Sequence, residues 1–303
     1  MNILVTGSSG FLGKSLSKKL KIFSPNELVL LDSAIADLTV PGSLDKFNNI
    51  KFEKIIHLAC WTQAGDFCLK FPGDQWIINQ LINTNIVNWW FSNQRQAKFI
   101  SIGTSCTYPE MGSYKEEEYF EGLPTKSLFT YAMTKRMLQN GIESLSKQYN
   151  LNYCTYVPST LYGPGYKLND KIPHFIFDLI KKFILFKKKN KEIVLWGDGS
   201  QIRELIYIDD FINHMIEIEK MGISNEIFNI GAGVGHSIRE FATIISDILN
   251  INTNNIYYDT NAYVGTKKKV LNIEKISKLT NLHQKPLYEG IKIVIDDLWD
   301  HIE

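Results

Sequence analysis

The sequence predicts an α/β fold in which helices flank a doubly wound parallel sheet. An apolar run at 2–6 has the composition of a strand buried on both faces, and a glycine-rich loop and an amphipathic helix follow it directly. Further strand-like runs alternate with helix-like segments as far as Pro158. Such alternation is typical of parallel sheets with crossover helices, and the glycine-rich first turn makes the sheet Rossmann-type.

The first helix is expected to run through Lys21. The other expected helices and strands before Pro158 are strands at 28–31, 55–59, 99–103 and 153–157, and helices at 74–91 and 130–149. Beyond Pro158 the pattern loosens, and we expect a lysine-rich helix at about 173–189, a strand at 193–196, and elements returning to the first sheet at 206–210 and 227–231. The predicted domains are therefore a Rossmann domain of 1–159 plus 205–231 and a smaller, interleaved substrate-binding lobe of 160–204 plus 232–303.

Composition and charge narrow the class of protein. The 303 residues are 44% hydrophobic and carry a formal net charge of +1, which argues against a broad nucleic-acid or membrane-binding surface. The four cysteines and six histidines show no metal-ligand spacing, so free thiols and no metal are expected. The N-terminus enters a strand at once and no apolar run approaches the roughly 18 residues needed to span a bilayer, so we expect a cytoplasmic protein.

The loop after the first strand has the spacing of a dinucleotide-binding turn. Gly7 allows a tight turn, Gly10 lets the backbone approach phosphates, and Gly13 lets the following helix lie close to the sheet. Phe11 and Leu12 belong to the same turn, where the helix N-terminus would face a pyrophosphate. Glycine spacing alone is weak, but its place between a strand and a helix predicts a nucleotide site.

Asp32 ends the second predicted strand. A carboxylate there can accept hydrogen bonds from both ribose hydroxyls and repels a 2′-phosphate, so we expect NAD rather than NADP; a turn-forming Asp is the alternative. Further cofactor contacts are expected from the ends of neighbouring strands and the loop after Asp32; they are Asp37, Leu38, Leu58, Ala59 and Cys60. His57 is interpreted as a core residue.

Tyr131 and Lys135 form the candidate chemical centre. The Tyr-x-x-x-Lys spacing occurs three times in the chain, but only this pair opens a long helix and follows a strand that ends in Thr104. A phenol acting as a base near pH 7 must have its pKa lowered from about 10 by roughly 3 units, or about 4 kcal/mol. Residues i and i+4 share a helix face, so the Lys135 ammonium, together with the positive nicotinamide ring of NAD+, would favour the phenolate. Tyr131 and Lys135 are also expected to contact the cofactor, Lys135 through the nicotinamide ribose. Thr104 would orient the reacting oxygen. The pattern predicts hydride transfer between a nicotinamide and a hydroxyl-bearing carbon.

The chain resembles the extended short-chain dehydrogenase/reductase family, which modifies nucleotide-activated sugars, and within it GDP-fucose synthase. The stretches that carry the resemblance are 103–109 (GTSCTYP), 161–164 (LYGP), 195–204 (LWGDGSQIRE) and the helix segment that begins at Asn79. The resemblance covers nearly the whole chain. It implies Thr104, Tyr131 and Lys135 as a catalytic triad and 7–13 as the cofactor loop, with Asn79 and Pro158 among the cofactor contacts.

Departures from the family pattern narrow the set of reactions that this chain is expected to catalyse. Dehydratases of the family carry an Asp-Glu pair where this chain has Ser105 and Cys106, so dehydration is not expected. Cys106 matches the synthase cysteine used for epimerisation, but Asp170 stands in place of the synthase histidine and His174 is the nearest imidazole. That change argues against the two epimerisations and leaves Cys106 equally well explained as a packing residue.

Once dehydration and epimerisation are set aside, the reaction that remains is redox chemistry at C4 of a nucleotide-diphosphate sugar. The most plausible substrate is a GDP-linked hexose or heptose used to make surface polysaccharide. With NAD as cofactor we favour oxidation of the C4 hydroxyl to a ketone, although the same residues serve the reverse reaction. The expected substrate contacts are Thr104, Ser105, Cys106, Tyr131, Trp196, Arg203 and Lys268.

Two other functions stay open. A C4 epimerase with tightly bound NAD would need the same triad, and an NAD-sensing regulator without catalysis would not need the Tyr131–Lys135 pair. By analogy with the family, the apolar helix at 76–91 also suggests a homodimer, although its side chains could equally face the sheet.

Overall fold

The computed structural model describes residues 2–23, 28–168, 173–262, 264–281 and 283–303, and its long strands lie within two residues of the predicted ones. In chain order the strands are β1 (Ile3–Thr6), β2 (Leu28–Leu31), β3 (Lys54–His57), β4 (Lys98–Ile102), β5 (Tyr153–Pro158), β6 (Thr160–Tyr162), β7 (Ile193–Trp196), β8 (Ile202–Arg203), β9 (Leu205–Tyr207), β10 (Glu226–Ile230), β11 (His236–Ser237), β12 (Ile256–Asp259) and β13 (Lys268–Lys269).

The α-helices separate these strands. They are α1 (Phe11–Phe23), α2 (Phe67–Lys70), α3 (Pro72–Asn93), α4 (Phe129–Tyr149), α5 (Phe175–Lys189), α6 (Ile208–Lys220), α7 (Ile238–Leu249), α8 (Glu274–Ser277) and α9 (Leu287–Trp299). None of those described is both long and apolar enough to cross a membrane.

Six parallel strands form the central sheet in the order β10-β5-β4-β3-β1-β2. From β1 the chain first moves outward to β2 and then returns to build the other half of the sheet from β3, so the winding direction reverses between β1 and β3. Ligands of doubly wound sheets bind in the crevice at the carboxyl ends of the strands beside such a reversal. The predicted α/β class and doubly wound sheet are confirmed.

One predicted element was wrong. The segment 206–210 does not return to the central sheet: β9 pairs with β6 in a separate two-stranded sheet, and helix α6 begins at Ile208. Asp209 and Asp210 lie in the first helical turn, where carboxylates favour the helix dipole, and the apolar residues that follow have helical spacing. The second predicted return is confirmed, since β10 extends the sheet beside β5.

Apolar cores cover both faces of the central sheet. Helices α1 and α6 pack on one face, and α3 and α4 pack on the other, where Trp90 is fully buried. A separate core joins α5, α7 and α9 with β7, and Phe177 and Phe183 lie at its centre. The sequence boundaries assigned to the two domains stay a prediction.

Glu219 on α6 holds a partly buried cluster of charges at the amino-terminal ends of the central strands. Its carboxylate lies 2.6 Å from the Lys54 ammonium and 2.7 Å from the Lys98 ammonium, and it accepts a hydrogen bond from the Tyr156 hydroxyl. Desolvation is the largest influence and would raise the pKa of Glu219, but the two lysines together outweigh it and lower that pKa. The carboxylate therefore stabilises the fold at pH values above its unfolded pKa, and this contribution is lost as the pH falls through the folded pKa.

Glu219→Gln is expected to reduce the free energy of unfolding by roughly 3 kcal/mol at pH 7, the lower end for a broken buried pair, because it leaves two partly buried ammonium groups without their counter-charge. Chemical denaturation measures the change. Glu217→Gln on the same helix is the control: its pair with Lys220 is solvent-exposed and should contribute no more than about 1 kcal/mol. Equal losses in both variants would contradict this account of the cluster.

Candidate active site

The loop between β1 and α1 is tightly packed on its inner side. Gly7 has a φ of 65°, and a Cβ there would lie 2.8 Å from the backbone nitrogen of Ala59. A Cβ at Gly13 would lie 2.2 Å from the Gly7 carbonyl oxygen. Gly13 was expected to let the helix lie close to the sheet, but it is the loop that the helix approaches at this glycine. At Gly10 a Cβ would meet only the Gly7 oxygen, at 3.2 Å, which leaves the outer side open.

This loop fits the pyrophosphate of a dinucleotide. Helix α1 has no acidic residue in its first turn, so its unpaired N–H groups and positive dipole end can face an anion. The Phe11 ring packs edge-on against Tyr166 and Phe177, and Leu12 packs against the sheet. Phe11 and Leu12 would therefore contact a cofactor through their backbone.

Asp32 stands at the carboxyl end of β2. Its Oδ1 accepts hydrogen bonds from the backbone N–H groups of Ala34 and Ile35, so the turn-forming role is real, and Oδ2 remains for a ribose hydroxyl. Asp37 is likewise used in a turn, and two hydrogen bonds from Thr39 lower its pKa. Leu38 points its side chain into the core, so only its backbone could approach an adenine.

The segment after β3 lies against the glycine loop. The Thr6 hydroxyl accepts hydrogen bonds from the N–H groups of Leu58 and Ala59, both at 3.2 Å. It also contacts His57, which is buried and whose pKa is lowered to about 3 by desolvation and by Lys135. His57 is therefore a neutral core residue, as predicted.

Asn79 supports this segment from α3 and does not point toward a ligand. Its side-chain oxygen accepts from the Cys60 thiol and the Trp61 N–H, and its amide nitrogen donates to the Trp61 and Gln75 carbonyls. The amide is buried and fully used. The expected contact between Asn79 and the cofactor is thus corrected to an indirect role, in which Asn79 holds Cys60 and Trp61 in place.

Tyr131 and Lys135 occupy the first turns of α4 beside the ends of β3 and β4. The Lys135 ammonium is buried and donates to the Ile102 carbonyl oxygen at 2.9 Å. Burial raises the pKa of the Cys60 thiol, whereas Lys135 and a hydrogen bond from the Tyr131 hydroxyl oppose that rise. Cys60 therefore lies next to both members of the predicted pair, and the structure brings them to one place.

In the protein alone, burial sets the pKa of Tyr131. Desolvation raises it well above 10, and the nearby thiols of Cys60, Cys106 and Cys68 raise it further. The residue as a whole is half-buried. The phenol of the protein alone is thus neutral at physiological pH, and the lowering expected from Lys135 together with a bound oxidised nicotinamide stays a prediction. Three thiols around this tyrosine could not be foreseen, because they come from distant parts of the sequence.

Thr104 and its neighbours complete this edge of the sheet. The Thr104 hydroxyl accepts a hydrogen bond from the Cys106 N–H at 3.2 Å, and within the described chain its own hydrogen has no acceptor. Ser105 and Pro158 are half-buried, at the ends of β4 and β5 respectively. Five of the predicted site residues belong to neighbouring strand ends or to the start of α4; they are Thr104, Ser105, Tyr131, Lys135 and Pro158.

Lys269 is the residue that sequence reasoning undervalued. Its ammonium donates to the Cys106 sulfur at 3.0 Å, and it is close enough to His174 to add to the desolvation that lowers the pKa of that imidazole. Lys268, the predicted contact, is exposed, because successive strand residues point to opposite faces. The substrate role of Lys268 stays a prediction, and Lys269 is the better candidate. Asp170 lies outside the described residues.

A second crevice lies between α5 and β7. It is lined by Phe175, Asp178, Leu179, Lys182, Leu195, Trp196, Gln201, Arg203, Ile238 and Val264. The Trp196 ring is 60% exposed, so it is not a core tryptophan. The Arg203 guanidinium donates to the carbonyls of Val264 and Thr266, which fixes it at the crevice wall. Among the described residues no group of three or more His, Cys, Asp or Glu could hold a metal ion.

The glycine loop lies at the switch point of a doubly wound sheet, and a tyrosine and a lysine lie at the neighbouring strand ends. This combination defines an NAD(P)-dependent enzyme of the extended short-chain dehydrogenase/reductase class. The chain belongs to the NAD dependent epimerase/dehydratase family, whose model matches residues 3–231.

Individual relatives agree with this assignment. The chain is 25% identical to GDP-L-fucose synthase of Escherichia coli (strain K12), over 95% of this chain and 94% of the relative. It is 25% identical to the solved structure of MlghC, a GDP-mannoheptose C4 reductase from Campylobacter jejuni with NADP bound, with a TM-score of 0.85 and coverage of 99% and 98%. A GDP-6-OMe-4-keto-L-xylo-heptose reductase from C. jejuni has the same fold, with a TM-score of 0.88, 22% identity and coverage of 100% and 98%.

Proposed function

We propose that this enzyme transfers hydride between the nicotinamide of NAD and C4 of a nucleotide-diphosphate sugar, with a GDP-linked hexose or heptose as the favoured substrate. The observation that carries the proposal is the meeting of Tyr131 and Lys135 at the strand ends, where both influence the Cys60 thiol and Lys135 binds the Ile102 carbonyl. Relatives named as GDP-L-fucose synthase and GDP-mannoheptose C4 reductase support a GDP-sugar.

Reduction of a 4-keto sugar is the favoured direction. Sequence reasoning preferred oxidation because NAD is mostly oxidised in cells. The relative named as a GDP-mannoheptose C4 reductase supports the reverse, and a neutral Tyr131 phenol could give the proton that the ketone oxygen takes up.

The residues have distinct tasks in this reaction. The reduced nicotinamide, when bound, supplies the hydride that reaches C4. Tyr131 donates its phenolic proton to the C4 oxygen, so that the ketone becomes a secondary alcohol and the phenolate remains beside the Lys135 ammonium. The Thr104 hydroxyl would donate a hydrogen bond to the same oxygen and so stabilise the charge that develops there.

The second crevice would hold the nucleotide end of the substrate. Arg203 suits a diphosphate, and the exposed Trp196 face suits a base. Lys269 would lie between the two ends of the substrate, beside Cys106.

Lys269→Met is expected to lower kcat/KM for the sugar nucleotide by roughly tenfold to a hundredfold, the equivalent of one hydrogen bond to a charged group. Lys268→Met is the matched control, since the neighbouring side chain points to the other face of β13 and should leave kcat/KM nearly unchanged. A larger loss in Lys268→Met would show that the assignment of Lys269 is wrong. Steady-state kinetics at varied sugar nucleotide measures both.

The direct test follows absorbance at 340 nm after mixing the enzyme with NADH or NADPH and a GDP-4-keto-6-deoxyhexose. The proposal predicts loss of one reduced cofactor for each C4 alcohol formed. No consumption of either cofactor would contradict it. Interconversion of two C4 stereoisomers at constant absorbance would indicate the epimerase alternative, and cofactor binding without any turnover would indicate the sensing regulator.

Asp32 supports NAD as the cofactor, although MlghC is a relative with NADP bound. A carboxylate at the ribose hydroxyls would repel a 2′-phosphate by on the order of a few kcal/mol. Comparing kcat/KM for NADH and NADPH in the same assay tests the choice, and a preference for NADPH would overturn it.

We further propose that the enzyme is a homodimer that makes sugars for surface polysaccharides. It would work in the cytoplasm, where the four free cysteines would stay reduced. Three large apolar side chains on α3, Trp76, Ile77 and Leu81, are exposed, and so is Met137 on the adjacent α4. A second copy of the chain would cover this surface. Sedimentation velocity tests the dimer, which Trp76→Glu should dissociate; a monomer at all concentrations would contradict it.

A further inference from the structure

Two charged side chains stand side by side at the second crevice. Asp178 and Lys182 occupy positions i and i+4 of α5, with 2.9 Å between the Asp178 Oδ2 and the Lys182 Nζ. Both line the crevice, and both are partly exposed. The Lys182 ammonium lies 5.8 Å from the centre of the Trp196 ring. An acceptor, a donor and an aromatic face therefore occur together.

Gln201 gives independent support for a hydrogen-bonding ligand in this crevice. Its side chain lines the crevice and is only 6% exposed. Its amide oxygen is buried and has no hydrogen-bond partner in the described part of the chain. Because an unsatisfied buried acceptor is costly and rare in native proteins, a donor from a bound molecule is expected to reach it.

We propose that Asp178 and Lys182 recognise the Watson–Crick edge of guanine and thereby select a guanosine diphosphate sugar; this inference rests on the proposed function. Guanine presents an acceptor, O6, followed by two donors, N1–H and the 2-amino group. The Lys182 ammonium would donate to O6, and the Asp178 carboxylate would accept from both donors.

The same pair discriminates against other bases. Uracil presents an acceptor, O2, where guanine has its 2-amino group, so one carboxylate oxygen of Asp178 would face a carbonyl. Adenine presents a donor and then an acceptor, the reverse of what Lys182 and Asp178 require. A well-placed bidentate contact provides about 1–3 kcal/mol of discrimination, which corresponds to roughly 5- to 150-fold in affinity.

Titration calorimetry of the full chain with GDP, IDP and UDP tests this assignment. The expected order of affinity is GDP, then IDP, which lacks the 2-amino group, then UDP. Asp178→Asn should lose most of the preference for GDP over UDP, whereas Asp247→Asn, an exposed acid on α7, should keep it. A melting temperature within a few degrees of the parent chain shows that the variants are folded.

The outcomes separate this inference from the function it rests on. A preference for GDP that survives Asp178→Asn overturns the role of Asp178 and leaves the proposed function intact. Equal affinities of the parent chain for GDP and UDP also overturn the inference. If no nucleoside diphosphate binds at millimolar concentration, the proposed nucleotide-sugar function itself fails.

Discussion

Tyr131→Phe is expected to lower kcat for reduction of the 4-keto sugar by roughly 10²–10⁴-fold, the range in which a positioned general acid contributes. Phenylalanine fills the same space but has no proton to give, and the nearest thiol, Cys60, donates to Asn79. Affinity for NADH should change little, because the glycine loop and Asp32 are untouched. Single-turnover absorbance at 340 nm and a separate binding titration measure the two effects.

The control for this variant is Tyr288→Phe. Tyr288 and Lys292 have the same spacing on α9, but Tyr288 is 49% exposed and distant in sequence and fold from the strand ends. It should keep full activity. A Tyr131→Phe enzyme that retains most of its kcat would remove the proposed proton donor and with it the mechanism.

The pH dependence has a defined sign. Since burial and neighbouring thiols raise the pKa of Tyr131, the phenol keeps its proton through the physiological range. The reduction rate should therefore stay level up to alkaline pH and fall only as the phenol ionises, whereas the rate of the reverse oxidation should rise with pH over the same range.

Gly13→Ala is the second change with a large expected effect. The added Cβ would lie 2.2 Å from the Gly7 carbonyl oxygen and 2.8 Å from the Ser8 Cα, both of which are backbone atoms held in a tight loop. The loop must move, and overpacking of this kind costs about 1–3 kcal/mol. We expect affinity for NADH to fall by roughly tenfold or more, measured by titration calorimetry.

Gly141→Ala provides the matched control. Gly141 also lies within a helix, but outside that helix's own backbone a Cβ there would meet no atom of the described residues within 4 Å. This variant should bind NADH normally and gain up to about 1 kcal/mol of stability, because alanine favours the helix. Normal NADH affinity in Gly13→Ala would contradict the proposed cofactor loop.

The central sheet was predictable because its strands are buried on both faces. Ile3–Thr6 (ILVT) is almost wholly apolar and buried along its length, and Lys98–Ile102 (KFISI) is buried at its three central residues. The pair β6 and β9 was not foreseen. Each strand has only three residues, too few for a periodic pattern, and the Ile208 run that follows was assigned to the sheet instead of to a helix.

The candidate site was predictable only where residues are close in sequence. The i,i+4 spacing of Tyr131 and Lys135 predicted a shared helix face, but it said nothing about desolvation, which sets the pKa of the phenol. The contact between Lys269 and Cys106 joins segments 163 residues apart. The available signal was the alternation of side chains along β13, which places Lys268 and Lys269 on opposite faces.

Transfer of isotope from the cofactor to the sugar reports directly on hydride transfer at C4. The enzyme is incubated with NADH that carries deuterium at the transferable position of the nicotinamide and with a GDP-4-keto-6-deoxyhexose, and the product is examined by NMR. The account predicts one deuterium at C4 of the sugar, with a single stereochemistry, in each product molecule. Product formed without deuterium at C4 would contradict direct hydride transfer at this carbon.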